Sequence, residues 1–335
     1  MTQNILVAGG AGYIGSHVCR ALAADGFRPV CFDNLSTGHE WAVRWGPLVR
    51  GDIRDAAALD AVFREHRPVA VMHFAANIEV GEGERRPLDF WDNNVAGTVS
   101  LLRAMQRAGT GAIVFSSTCA IYGEPQRLPL DEDHPKSPTS VYGRTKLTVE
   151  GILEDAHRAE GLSFAALRYF NAAGASPDGQ IGEAHDPETH LIPNALKAAA
   201  GLGDRMRLFG DDYDTPDGTC VRDYIHVVDL AEAHCLSLKK LLGAPGMLRF
   251  NVGTGEGFSV REILDAVKAV TGREVPHDIH PRRLGDVSRL YADTRRVRES
   301  LGFRPQSSTP QRIIADAWAF HSRQWDLVPA VAAAD

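Results

Sequence analysis

A chain of 335 residues, 44% hydrophobic and 24% charged, has the composition of an ordinary globular protein with room for one large domain or two packed ones. A net charge of −7 argues against nucleic acid as a partner, since a polyanion needs a basic face, but leaves room for a small anion held by a few arginines and helix N-termini. No apolar run approaches the roughly 20 residues that span a bilayer.

Short apolar runs at Ile5–Ala8, Pro29–Phe32, Val69–Phe74, Ala112–Phe115 and Ser163–Tyr169 read as strands. Between them, Ile14, Val18 and Leu22 recur at helical spacing, as do Trp91 and Val95 and then Leu102 and Met105. Strand and helix periods in alternation predict βαβ units: a Rossmann-type, doubly wound parallel sheet in an α/β fold. Beyond Gly174 the texture changes, with Gly-, Pro- and Asp-rich stretches at Ala175–Pro187 and Gly210–Gly218 and helices at Val260–Thr271 and Gln311–Ser322. The expected division is a first domain over 1–174 and a smaller, loop-rich α/β domain over 175–327. A segment of the second domain is allowed to cross back, and an alanine-rich tail over 328–335 is expected to fray. Cys19, Cys31, Cys119, Cys220 and Cys235 form no Cys-x-x-Cys pair and no zinc-type spacing with histidine. No metal is expected. An odd, scattered count fits reduced thiols, and a strand-like run from Asn4 leaves no room for a signal peptide, so the expected location is the cytoplasm.

Gly9, Gly12 and Gly15 follow the first strand directly and open the first helix. Glycine there allows the tight turn, lets backbone approach a pyrophosphate and lets the helix pack close to the strand. Asp33 ends the second strand, where a carboxylate accepts hydrogen bonds from a ribose 2′-hydroxyl and repels a 2′-phosphate, which favours NAD over NADP. Further on, Tyr142 and Lys146 stand four apart and share a helix face behind the turn residues Ser137–Ser140. A nearby ammonium is expected to lower the tyrosine pKa towards the range of a general base. Thr118, in Ser116-Ser117-Thr118 after the apolar strand, is in reach of the same substrate oxygen. Pairs of Tyr and Lys at this spacing also occur on solvated helices; the glycine loop and Thr118 are what turn the pair into a catalytic candidate.

The Gly-x-x-Gly-x-x-Gly spacing is the form used by the extended short-chain dehydrogenase/reductases, which this chain resembles. Over nearly its whole length it resembles the UDP-galactose 4-epimerases among them, through Arg168-Tyr169-Phe170-Asn171, Gly218–Val227, Asn251–Gly255 and Arg282-Arg283-Leu284-Gly285-Asp286. The resemblance implies a homodimer holding NAD and a UDP-sugar, whose 4-keto intermediate turns over and takes its hydride back on the other face. It puts Tyr13, Ile14, Asn34, Asp52, Ile53, Phe74, Ala75, Ala76, Asn93, Ser116 and Tyr169 at the cofactor beside the glycines and Asp33. Tyr142 then exchanges the proton of the sugar hydroxyl, Lys146 bridges the nicotinamide ribose and tunes Tyr142, and Thr118 orients the hydroxyl. Asn171, Arg222 and Arg283 fall to the diphosphate, Phe209 to the uracil, Asp286 to the uridine ribose and Leu290 to a wall of the sugar pocket. Each has a plainer reading: Asp52 as a loop or capping residue, Asn93 as a polar helix shoulder, the arginines as surface ion pairs, and Leu290 as core.

Dehydratases of the same superfamily carry an Asp-Glu pair just after the Thr; here Cys119-Ala120 follows. Epimerisation of UDP-glucose and UDP-galactose at C4 is therefore the expected activity. The alternatives are a UDP-pentose or UDP-hexuronate 4-epimerase, a UDP-glucuronate decarboxylase, and a non-enzymatic NAD-binding regulator or scaffold. Ile78, followed by Glu79, stands where some relatives have lysine.

Overall fold

The computed structural model describes residues 2–283 and 285–327; the expected frayed tail lies outside them. Its centre is a seven-stranded sheet. Chain order gives β1 (Asn4–Ala8), β2 (Arg28–Asp33), β3 (Leu48–Arg50), β4 (Ala70–His73), β5 (Ala112–Thr118) and β6 (Ser163–Tyr169). Met247–Val252, from much later in the chain, adds a strand beside β6. Across the sheet the order is Met247–Val252, β6, β5, β4, β1, β2, β3, every pairing parallel.

Alternation along the strands explains the two layers of helix. Ile5 and Val7 of β1 face one side, with Val18 and Leu22 of the Tyr13–Ala24 helix and Leu230 and Leu238 of the Val227–Gly243 helix. Leu6 and Ala8 face the other, with Leu59, Phe63, Leu101, Met105, Val149 and Leu153. A sheet covered on both faces needs apolar residues at both phases, and β5 is buried at every position. The first helix ends at Asp25, and Gly26 follows at φ +83°, as the Asp-Gly pair predicts.

A second core gathers Ile192, Leu196, Leu208, Tyr224, Ile263, Val267, Ile313 and Ile314. Its helices are Leu191–Ala199, Val260–Thr271 and Pro310–Gln324. Ser259 and Glu262 cap the middle one reciprocally, worth roughly 1 kcal/mol. Short strands β7 (Asn171–Ala173) and Tyr224–His226 pair in parallel and carry the chain between the two cores. All five cysteines are buried and free. Among the described residues no helix is long and apolar enough to cross a membrane.

Candidate active site

A cleft opens where β1, β2 and β4 end, lined by Gly9, Gly12, Phe32, Asp33, Asn34, Gly51, Ile53, Phe74, Ala75, Ala76 and Asn93. Gly9 sits at φ +81°, and a Cβ there would lie 2.5 Å from the Ala75 nitrogen; one on Gly15 would lie 2.0 Å from the Gly9 carbonyl oxygen. Only glycine fits either position. A Cβ on Gly12 meets nothing closer than the Gly9 oxygen at 3.4 Å, so protein packing does not demand that glycine; its effect is to keep the cleft open. Gly12 caps the Tyr13–Ala24 helix and offers no side-chain bond to it, leaving first-turn amides for an anion. Asp33 Oδ2 accepts from the Ala11 amide at 2.9 Å and Oδ1 from Leu35 at 2.8 Å, which fixes the carboxylate at the cleft while each oxygen keeps a free lone pair. The donor set and shape suit a dinucleotide.

Several residues expected at the cofactor have side chains paired or packed within the protein. The Asp52 carboxylate is turned to Arg54, with Nη2 at 2.7 Å, and accepts from Asn34 at 2.9 Å; hydrogen bonds from Arg54 hold it below the usual carboxylate range. Tyr13 donates its hydroxyl to the Gly174 carbonyl at 2.7 Å. Ile14 packs into the first core. Asn93 lies on a π-helical turn, Trp91–Ala96, set between the Pro87–Phe90 and Gly97–Ala108 helices. The wider turn lets its neighbour Asn94 point inward. Asn94 is buried, accepts from the Asn77 amide at 2.7 Å and donates to Thr145 Oγ1 at 3.1 Å, tying the cleft wall to the helix of Tyr142.

That helix, Val141–Glu160, is capped by Ser140, whose Oγ accepts from the Gly143 amide at 3.1 Å. It brings Lys146 beneath β5, where Nζ donates to the Ser116 carbonyl at 2.7 Å and lies 5.8 Å from the Tyr142 ring centre. Ser116 Oγ and the Tyr169 hydroxyl are 2.5 Å apart. Thr118 ends β5, and its Oγ1 accepts from the Ala120 amide at 3.1 Å. The expected lowering of the Tyr142 pKa is not what this arrangement yields. Burial pushes the phenol up, with the Thr118 hydrogen bond opposing, and burial brings Lys146 down to about 7. Desolvation is the leading cause of both shifts.

The expected substrate residues converge across the cleft. Arg283 Nε donates to Asp286 Oδ2 at 2.9 Å, and Arg222 Nη2 lies 3.7 Å from Oδ1 of the same carboxylate. Arg283 also stacks over Phe209, 4.9 Å from the ring centre. Leu290 pairs with Arg222 across short strands and packs against the cluster of Cys119, Ile121, Tyr122 and Leu130. Asn171 donates to the Asp223 carbonyl at 3.1 Å. The reading of the residues missed Asp223 itself: buried, it accepts from Thr254 and Gly255 amides and so shapes the Asn251–Gly255 motif. Ile78 is 42% exposed.

Residues 5–253 match the model of the NAD dependent epimerase/dehydratase family. A UDP-glucose 4-epimerase of Rhizobium leguminosarum bv. trifolii is 52% identical over 321 residues, 96% of this chain and 98% of that one. The crystal structure of UDP-glucose 4-epimerase from Brucella ovis in complex with NAD superposes with a TM-score of 0.93 at 52% identity, covering 95% and 98% of the two chains. That of the Bifidobacterium longum enzyme in complex with NAD+ and UDP gives 0.91 at 36% identity, covering 97% and 99%.

Proposed function

Because the chain belongs to the NAD dependent epimerase/dehydratase family, we infer that it interconverts UDP-glucose and UDP-galactose at C4, with NAD held through the cycle. One observation carries this choice of reaction: Thr118, Tyr142 and Lys146 are all present, while the Cys119–Ile121 turn that follows carries no carboxylate. Removal of water from an oxidised sugar needs an acid and a base; without them at that turn, a 4-keto hexose is left to take its hydride back.

NAD, when bound, supplies the hydride acceptor. Gly9, Gly12 and Gly15 would hold its pyrophosphate, Asp33 a ribose, and Ile53 with Phe74–Ala76 and Asn93 the surrounding walls. Tyr142 takes the proton of the C4 hydroxyl and later returns it, a step worth roughly 10²–10⁴-fold. Lys146 would hold the nicotinamide ribose and tune Tyr142; Thr118 would orient the hydroxyl, and Ser116 with Tyr169 would back the pair. At the nucleotide end, Arg222 and Arg283 exchange Asp286 for the diphosphate, supported by Asn171. Phe209 stacks on uracil, Asp286 turns to the uridine ribose, and Leu290 bounds the sugar. We place the protein in the cytoplasm as a homodimer. The test is incubation of the purified protein, with no NAD added, with a panel of UDP-sugars followed by proton NMR. UDP-galactose should convert to a mixture with UDP-glucose; turnover of only pentose or hexuronate sugars would reassign the substrate.

A further inference from the structure

The segment after Gly174 folds back over the glycine-rich loop. His39 Nε2 donates to the Ala184 carbonyl at 2.7 Å, and the His185 ring meets that of Tyr13 edge-on at 6.3 Å. Within this segment Glu183, His185, Glu188 and His190 each turn one donor atom to a common point, all within 4.8 Å of one another. His190 Nδ1 lies 2.9 Å from Glu183 Oε1 and 2.9 Å from Glu188 Oε1. His185 Nδ1 lies 3.3 Å from Glu183 Oε1 and 3.7 Å from Glu188 Oε2. The Glu183 side chain is only 4% exposed. His185 Nδ1 is buried and makes no hydrogen bond, although two carboxylates face it.

Donors bound at about 2.0–2.1 Å to a tetrahedral Zn²⁺ stand roughly 3.3 Å from one another. The histidine–glutamate separations, from 2.9 to 3.7 Å, lie on either side of that edge, and the four donors as a set lie within 4.8 Å, so a bound ion draws them modestly closer. Two imidazole nitrogens with two carboxylate oxygens suit a zinc-like ion, whereas Mg²⁺ and Ca²⁺ prefer oxygen alone. Two carboxylates also neutralise a divalent charge, which removes the cost of burying it uncompensated.

We propose that Glu183, His185, Glu188 and His190 form a binding site for a zinc-class divalent ion that fastens this segment over the glycine-rich loop. The ion is proposed as structural and takes no part in the exchange at C4. It departs from the sequence-based expectation of no metal, which considered only cysteine spacings; the pattern Glu-x-His-x-x-Glu-x-His was in plain view. The rival occupant is the proton, since both imidazoles can instead remain charged and paired with the two carboxylates.

The test uses tag-free protein dialysed against EDTA and then against chelator-free buffer at about pH 8. Calorimetric titration with ZnCl₂ should show one ion bound per chain, with a rise in melting temperature as zinc is added. Co²⁺ in its place should give the intense visible absorption of a four-coordinate ion. Glu188→Gln, nearly isosteric, should weaken zinc at least about tenfold, and His185→Ala/His190→Ala should abolish the stoichiometric site, with circular dichroism unchanged in both. No zinc uptake by the wild type, or uptake that both variants leave unaltered, overturns the proposal. The first result leaves protons in the cluster and the second assigns the metal to adventitious surface groups. Neither bears on turnover of UDP-sugars.

Discussion

Arg168 and Glu150 form a two-pronged ion pair in the interior, Nε to Oε1 at 3.0 Å and Nη2 to Oε2 at 2.6 Å, their side chains 0% and 1% exposed. Ser117 donates to the same Glu150 oxygen at 2.6 Å, and Arg168 Nη1 donates to the Tyr122 hydroxyl at 3.0 Å. Tyr122 in turn donates to Asn251 at 2.6 Å. One network thus joins β5, β6, the helix of Lys146 and the turn after Thr118, and it holds the catalytic candidates in register. Arg168→Met leaves a carboxylate buried without its partner and should cost about 3–5 kcal/mol in urea denaturation, since an uncompensated interior charge is expensive. Arg168→Met/Glu150→Leu should recover part of that loss. A double variant as unstable as the single would show that packing, not charge, sets the cost.

Lys146 sets a pH dependence of opposite character. Burial brings its pKa down to about 7, against about 10.4 in an unfolded chain. Between those values the unfolded chain carries a proton that the folded one lacks. Stability therefore rises with pH from about 7 towards 10, by up to ~1.4 kcal/mol per unit, and below 7 the penalty is fully present. Lys146→Met removes the effect. In cofactor-stripped protein, the wild type should gain stability faster than the variant over about pH 7.5–9; parallel curves would mean the ammonium is not desolvated.

Arg222 and Arg283 share Asp286. Replacing either by alanine should weaken UDP by about 1.5–3 kcal/mol, the usual value of a charge-assisted hydrogen bond, while leaving NAD retention intact. Calorimetry with UDP alone checks this, and unchanged affinity in both variants would return the arginines to the surface.

How much of this was legible beforehand follows from where information is local. The glycine loop, Asp33 and the Tyr142/Lys146 pair are short patterns whose chemistry depends on spacing, and β1, β2, β5 and β6 are runs of apolar residues. Met247–Val252 was not read as a strand because Arg249 and Asn251 interrupt it; Arg249 is only half-buried, and the buried Asn251 is tolerated because its side chain bonds Tyr122 and the Leu130 carbonyl. Asn94, Asp223 and the Glu150 end of the buried pair were missed because nothing local marks a polar residue as buried. Their partners lie between 17 and 51 residues away. Burial at Tyr142 was not legible for a related reason: spacing gives the proximity of an ammonium but not the depth at which both groups sit.

Leu290 is half-buried against the cluster of Cys119, Ile121, Tyr122 and Leu130, and its proposed place at the wall of the sugar pocket is open to test. Good turnover of UDP-glucose and UDP-galactose and poor turnover of the N-acetylated pair are expected of the wild type. Leu290→Ser should shift kcat/KM towards the N-acetylated pair by about 1–3 kcal/mol. It should also lower stability, towards the lower end of the roughly 2–5 kcal/mol scale for truncating a core leucine, because the side chain is only partly buried. An unaltered ratio in a destabilised protein would leave the position to packing alone.

The central claim is that the hydrogen at C4 leaves and returns without meeting solvent. Conversion of UDP-galactose in D₂O, followed by proton NMR and mass spectrometry, tests it most directly. The account predicts inversion at C4 with the C4 hydrogen retained as protium in both sugars, and loss of turnover by about 10²–10⁴-fold in Tyr142→Phe with NAD and UDP-sugar still bound. Deuterium appearing at C4 in step with inversion would mean proton exchange with solvent at that carbon, and would contradict it.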